Sequence, residues 1–179
     1  MKFEKLNFWL LSSGILSVAL LRVAMAPLPN IEPIMLFTIA TALALGPLSG
    51  FIFGAGAMFL SDFFMGMPGP WTLYTSLVYG LVALIVGSLS IFKKSWNRKE
   101  LFAVTFLMTV FWDIVTATFF AFEFFMPLSS VMIAQIPFTI LHLSNCAIAF
   151  LFAPYLLRFF SIAKDFSVLK FLRQARIYL

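Results

Sequence analysis

Residues 31–66 read IEPIMLFTIATALALGPLSGFIFGAGAMFLSDFFMG, and the way this apolar stretch folds decides the architecture. As one straight helix its 36 residues would reach about 54 Å, well beyond the ~30 Å hydrocarbon core of a bilayer. The stretch therefore has to turn back on itself. Gly46-Pro47 supplies the break, because proline cannot continue the hydrogen-bond ladder and glycine permits the turn. The reading is two crossings.

Charge checks that count independently. Of twelve Lys and Arg residues, all but Arg22 fall in the first five residues, in the segment from Lys93 to Lys99, or after Pro154. Cytoplasmic loops collect Lys and Arg, so an even number of crossings must separate successive basic segments. A single crossing over residues 31–66 would put Lys93 to Lys99 outside, whereas two crossings restore the bias. The composition agrees, with 63% hydrophobic residues, 11% charged residues and a mean hydropathy of +1.05. The solvent is lipid.

The remaining spans follow on either side. A first span runs from about Leu6 to Ala26. Ala24-Met25-Ala26 mimics a signal-peptide cleavage site, but Pro27 would follow the cut and Arg22 interrupts the apolar core, so a retained helix is expected. After Met67-Pro68-Gly69-Pro70, a fourth span covers about Trp71 to Phe92, and a fifth Leu101 to Phe122. Met126-Pro127-Leu128-Ser129 forms an outer turn. The sixth span runs from about Ser130 to Leu157, kinked at Pro137 and ended near Pro154. The expected fold is thus an all-α membrane protein: a six-transmembrane-helix bundle in one domain over 1–179, with both termini cytoplasmic. Residues 159–179 form a basic cytoplasmic tail, either an amphipathic helix on the inner leaflet or a disordered segment. No strand-period alternation points to a barrel.

Several chemistries lack their parts. There is no Gly-x-x-x-x-Gly-Lys-Ser/Thr loop for ATP, the single histidine excludes His-Glu-x-x-His zinc chemistry, and no serine sits in a Gly-x-Ser-x-Gly elbow. The single cysteine, Cys146, excludes an intrachain disulfide and Cys-based zinc clusters. The sequence pI of about 9.6 is explained by cytoplasmic basic loops rather than by nucleic-acid binding. No catalytic residue, metal or cofactor is expected.

What remains is a small polar set inside the spans: Arg22, Asp62, Asp113, Gln135, His142 and Asn145. An ionised side chain at mid-bilayer costs ~2.5 to 3.5 kcal/mol on insertion scales, so each needs a partner or a cavity. Arg22 and Asp62 lie near the outer ends of their helices, with Asp113 and Thr116 deeper in the outer half. Gln135, Thr139 and His142, spaced by four and three, share one helix face. These groups can converge on an outward-facing pocket. The competing readings are a structural ion pair of Arg22 with Asp62 or Asp113, a packing role for His142, and a helix-bridging amide at Asn145. Gly50, Gly54 and Gly56 read as close helix packing.

Two outer loops add to the set. Pro27-Leu28-Pro29-Asn30-Ile31-Glu32-Pro33 is a stiff polar connection able to hold Asn30 and Glu32 over a cavity, or simply a solvated turn. Opposite it, Phe64 to Trp71 delivers Trp71, Thr72 and Tyr74 to the head of the fourth span. The two aromatics are either interfacial anchors or a cover for a flat ligand ring.

With Arg22 in the first helix, Pro29-Asn30-Ile31-Glu32-Pro33 after it, a glycine-rich third helix, and Gly69-Pro70-Trp71-Thr72 opening the fourth, the chain resembles a substrate-binding S component of an energy-coupling factor (ECF) transporter. The resemblance covers roughly residues 6 to 158. It implies uptake of a vitamin or related micronutrient, with a transmembrane T component and two cytoplasmic ATPase subunits as partners. Under it, Arg22 would hold an anionic ligand group or orient Asp62, Asn30, Glu32 and Thr72 would hydrogen-bond polar edges, Trp71 would cover a ring, and Gln135 and His142 would line the floor. Members often dock on the T component through Ala-x-x-x-Ala in the first helix. Here the equivalent is Ser13-x-x-x-Ser17 beside Gly14. The alternatives are an MreD-like membrane scaffold with a solid interior, and a proton-relay or anchoring subunit using Asp113 and His142.

Overall fold

The computed structural model describes residues 2–28, 30–93 and 95–175, with side chains from 8 to 163 within those ranges. Seven helices follow one another: α1 (Lys2–Ala24), α2 (Ile34–Leu45), α3 (Pro47–Phe64), α4 (Pro70–Phe92), α5 (Arg98–Glu123), α6 (Leu128–His142) and α7 (Ser144–Ala175). No strand occurs among the described residues. Four stretches are long and apolar enough to cross a membrane: α3, α4, α5 and the run Leu128–Ala163, which joins α6 to α7. With the Phe8–Ala24 part of α1 and the whole of α2 as shorter apolar helices, the architecture fits six hydrophobic units.

The turn at 46–47 has a plain local cause. Gly46 has φ 97°, a left-handed conformation that side-chain-bearing residues rarely adopt, and its N–H closes α2 by donating to Ala42 O at 3.0 Å. Pro47 then opens α3 at a position where no donor is needed. α2 is only 12 residues long, about 18 Å, which is less than a hydrocarbon thickness. None of its residues is exposed. It is apolar all round because it is the buried centre of the bundle, enclosed by α3, α4, α7, α1 and α5. Its Ile34, Met35 and Ile39 pack with Phe53, Tyr79, Val82 and Val86 in the main core.

The glycines of α3 are packing surfaces. A Cβ on Gly54 would fall 2.7 Å from Thr38 Cγ2 and 3.2 Å from Tyr79 O, so α2, α3 and α4 approach closely only because none is there. α5 starts at a capping box: Asn97 accepts from Glu100 N, and Glu100 accepts from Asn97 N, each at 3.0 Å.

The last span differs from expectation. Pro137 and Pro154 both lie inside helices, and the interruption falls instead at Leu143, between α6 and α7. There the ladder slips: Leu143 N donates to Thr139 O at 2.8 Å, and Cys146 N bonds three residues back to Leu143 O at 3.0 Å. Nor does the helix end near Pro154. It continues to Ala175, so the first part of the basic tail is an extension of α7. Proline is tolerated inside membrane helices where neighbouring groups satisfy the freed carbonyl. The side-chain faces of residues 164–175, on which the amphipathic reading depends, lie outside the described residues, as do residues 176–179.

α6 is the loosest element. It packs on α5 and slightly on α7, and only Val131 and His142 on it are buried.

Candidate functional site

Arg22, in the last turn of α1, is the centre of a closed ionic cluster. Its Nε donates to Glu32 Oε2 at 2.9 Å, and its Nη1 donates to Asp62 Oδ1 at 2.6 Å and to Ser61 Oγ at 2.8 Å. Asp62 is 4% exposed, and its other oxygen accepts from Thr72 Oγ1 at 2.7 Å. Thr72 in turn accepts from Gly69 N at 3.2 Å, which ties the start of α4 to the end of α3. Tyr79 on α4 donates its hydroxyl to Glu32 Oε1. One cation and two carboxylates are thus bound to one another and to three hydroxyls. That arrangement keeps buried charge tolerable, since an unpaired ion in this setting costs several kcal/mol.

The connection between α1 and α2 is fixed to the last span by amides. Asn30 adopts φ 58°, a left-handed conformation that asparagine tolerates. Its Nδ2 donates to Phe138 O at 3.0 Å. Asn145, buried at 1% exposure beside the α6–α7 interruption, accepts from Glu32 N and donates to Asn30 O, each at 3.1 Å. Three hydrogen bonds therefore hold the Asn30–Glu32 segment against α6 and α7.

Below it lies a second polar group. Asp113 on α5 accepts on Oδ1 from Gln135 Nε2 at 3.3 Å, and His142 Nδ1 lies 3.0 Å from the same oxygen. His142 Nε2 is 3.8 Å from Glu32 Oε1, so the imidazole stands between the two clusters. The ring of Trp112 bridges them as well, meeting His142 edge-on at 5.3 Å and Tyr79 at 5.2 Å between centroids. Gln135, Thr139 and His142, which share one face of α6, all turn toward α5.

Two spaces open around this face. The larger, of about 420 Å³, lies between α4, α5, α6 and Asn30. Trp112, Phe120 and Phe138 give it flat apolar walls, and Asn30, Thr75, Thr116 and Gln135 bring polar atoms. Its volume falls in the range of small-molecule sites, and the mix of aromatic walls with a few polar atoms is typical of them. The smaller space, of about 210 Å³, lies between α5 and α6 with Asp113, Gln135 and Thr139 as its polar residues. Gln135 lines both.

The expected residues thus separate. Arg22, Glu32, Asp62 and Thr72 meet in the ionic cluster. Asn30, Thr116 and Gln135 line the larger space, and Asp113 and Thr139 the smaller, with His142 joining the two groups. Trp71 and Tyr74 line neither of these spaces. Trp71 donates Nε1 to Met67 O at 3.2 Å and folds over Gly69, while Tyr74 stacks on Phe119 at 5.5 Å. On α1, Ser13 and Ser17 face outward, whereas Gly14 packs inward, where a Cβ would stand 2.9 Å from Phe53. Ser61, Tyr79 and Trp112 enter the site without a sequence signal of their own beyond spacing: Tyr79 lies two helical turns after Thr72, and Trp112 precedes Asp113.

Comparison with known families gives a match over residues 14–157 to the model described as ECF-type riboflavin transporter, S component. No curated protein and no solved structure matches the chain.

Proposed function

The chain belongs to the ECF-type riboflavin transporter S-component family, and from that premise we propose that the space between α4, α5, α6 and Asn30 captures a flat-ringed vitamin, riboflavin being the ligand to test first. Membership makes the protein a multi-pass membrane subunit that binds a small molecule for uptake, working with a T component and ATPase partners. The family is one of transporter subunits, not enzymes.

The finer reading has these parts. The chain is one transmembrane domain with six crossings and both termini in the cytoplasm, as the clustering of Lys and Arg favours. Two ATPase subunits on the cytoplasmic side drive transport, and the outward face of α1 around Ser13 and Ser17 docks on the T component. Ligand enters from the outside, where the Asn30–Glu32 segment closes over the larger space.

One observation carries the assignment of the pocket. The aromatic walls of Trp112, Phe120 and Phe138 stand around the polar atoms of Asn30, Thr75, Thr116 and Gln135 in a space large enough for a small ligand. Arg22, by contrast, commits its Nε and Nη1 to protein acceptors, so its part is to fix Glu32 and Asp62, and through Glu32 the loop.

Titrating the purified chain in detergent with riboflavin, and following flavin fluorescence, tests the reading. Saturable quenching at one site per chain is expected. Absence of quenching, with another small molecule found bound by native mass spectrometry, would remove the flavin assignment and give the mass of its replacement.

A further inference from the structure

The second carboxylate oxygen of Asp113 has no described hydrogen-bond partner, although the residue is 2% exposed. Asp113 as a residue lines the smaller space, whose other lining is mostly apolar, including Val110, Ile114 and Ile136, and its Oδ2 is itself buried. A buried acceptor without a donor is costly, and such groups call for a partner supplied from elsewhere.

Asp113 also fixes what its neighbour can offer. An ionised carboxylate only accepts hydrogen bonds, so the contact at 3.3 Å orients the Gln135 amide with nitrogen toward Asp113. A primary amide has a second N–H and a carbonyl beyond the bond already made. Gln135 lines both spaces, so the residue that carries these remaining groups is shared between the larger space and the smaller one. Side by side, the pair offers an anionic acceptor and a neutral donor. An anionic group would be repelled there.

We propose that Asp113 and Gln135 form a ring-edge subsite in which Asp113 Oδ2 accepts a ring N–H of the ligand and the second N–H of Gln135 donates to the adjacent ring carbonyl. The substrate class is a heterocycle with an imide or lactam edge. This rests on the flavin reading above, since the flavin ring carries an imide N–H between two carbonyls.

The test compares riboflavin with 3-methylriboflavin, in which that N–H is replaced by N–CH3, by fluorescence titration of the wild-type chain. Binding of the methylated ligand at least tenfold weaker supports the proposal. Equal binding of the two, within twofold, overturns the proposal while leaving the flavin reading intact, whereas failure of riboflavin itself to bind removes both. Asp113→Asn should weaken riboflavin at least tenfold and narrow its advantage over the methylated ligand. An undiminished advantage in that variant would also overturn the proposal. If Asp113→Asn does not fold, the wild-type comparison decides alone.

Discussion

The ionic cluster at Arg22 and the polar group at Asp113 are both buried in an apolar bundle, yet they are finished to different degrees. Around Arg22, both carboxylates are met: Asp62 by guanidinium and Thr72, Glu32 by guanidinium and Tyr79. Around Asp113, one oxygen takes contacts from Gln135 and His142 while the other takes none among the described residues. The packing differs in the same sense. The Arg22 cluster joins α1, α3, α4 and the connection leading into α2, whereas Asp113 faces α6, which packs on α5 and only slightly on α7 and buries just Val131 and His142. A closed network holds a fold in place. An open one, on a loosely held helix beside a cavity, is where a ligand supplies the missing donors.

That contrast breaks first at Arg22. Arg22→Ala would leave Glu32 and Asp62 buried without their cation, and removing one partner of a buried pair costs about 3 to 5 kcal/mol. Loss of the monodisperse protein in detergent, or a thermal unfolding midpoint too low to purify against, is the expected outcome. Adding Glu32→Gln and Asp62→Asn to that variant should recover much of the stability, because no unpaired charge remains. Failure of the triple variant to recover would mean that the cluster's shape, rather than its charge balance, holds the helices.

Next in size is the link between the two regions. Asn145→Ala deletes the bonds to Glu32 N and Asn30 O, each worth about 0.5 to 1.5 kcal/mol net. The segment over the larger space would then be held by Asn30 and Glu32 side chains alone. Riboflavin dissociation measured by stopped-flow fluorescence should accelerate roughly five- to tenfold, a change of about 1 to 1.4 kcal/mol, with a smaller effect on association. An unchanged dissociation rate would separate the loop from ligand retention.

Much of this arrangement is legible in residue order, and the reasons are physical. Gly46-Pro47 announces the turn because both residues act locally, and the segregation of Lys and Arg reports on crossings because it is set by the membrane rather than by packing. The i, i+4, i+7 spacing of Gln135, Thr139 and His142 puts them on one face whatever the tertiary fold. The α6–α7 interruption was hidden, since residues 142–144 contain neither glycine nor proline, while Pro137 and Pro154 look like breaks and are carried inside helices. Asn145 reads as a helix-bridging amide, and only the structure shows that what it bridges is the Asn30–Glu32 backbone. Tyr79 and Trp112 were equally silent: in a chain with 24 Phe residues, aromatic side chains at helical spacing are lipid-facing or core by default.

The smallest expected effect belongs to Trp71, and it sharpens where the open region ends. Its indole is 38% exposed, bonded to Met67 O and apart from both spaces beside α6. Substitutions at exposed positions outside a site usually stay within about 0.5 kcal/mol, roughly twofold in affinity. Trp71→Phe should therefore leave riboflavin affinity within that margin. A tenfold loss would mean that the Met65–Gly69 turn moves over the occupied space and brings the indole onto the ligand. The binding region would then extend to the head of α4, and the closed cluster beneath it, through Thr72 and Asp62, would be the hinge on which that cover is mounted.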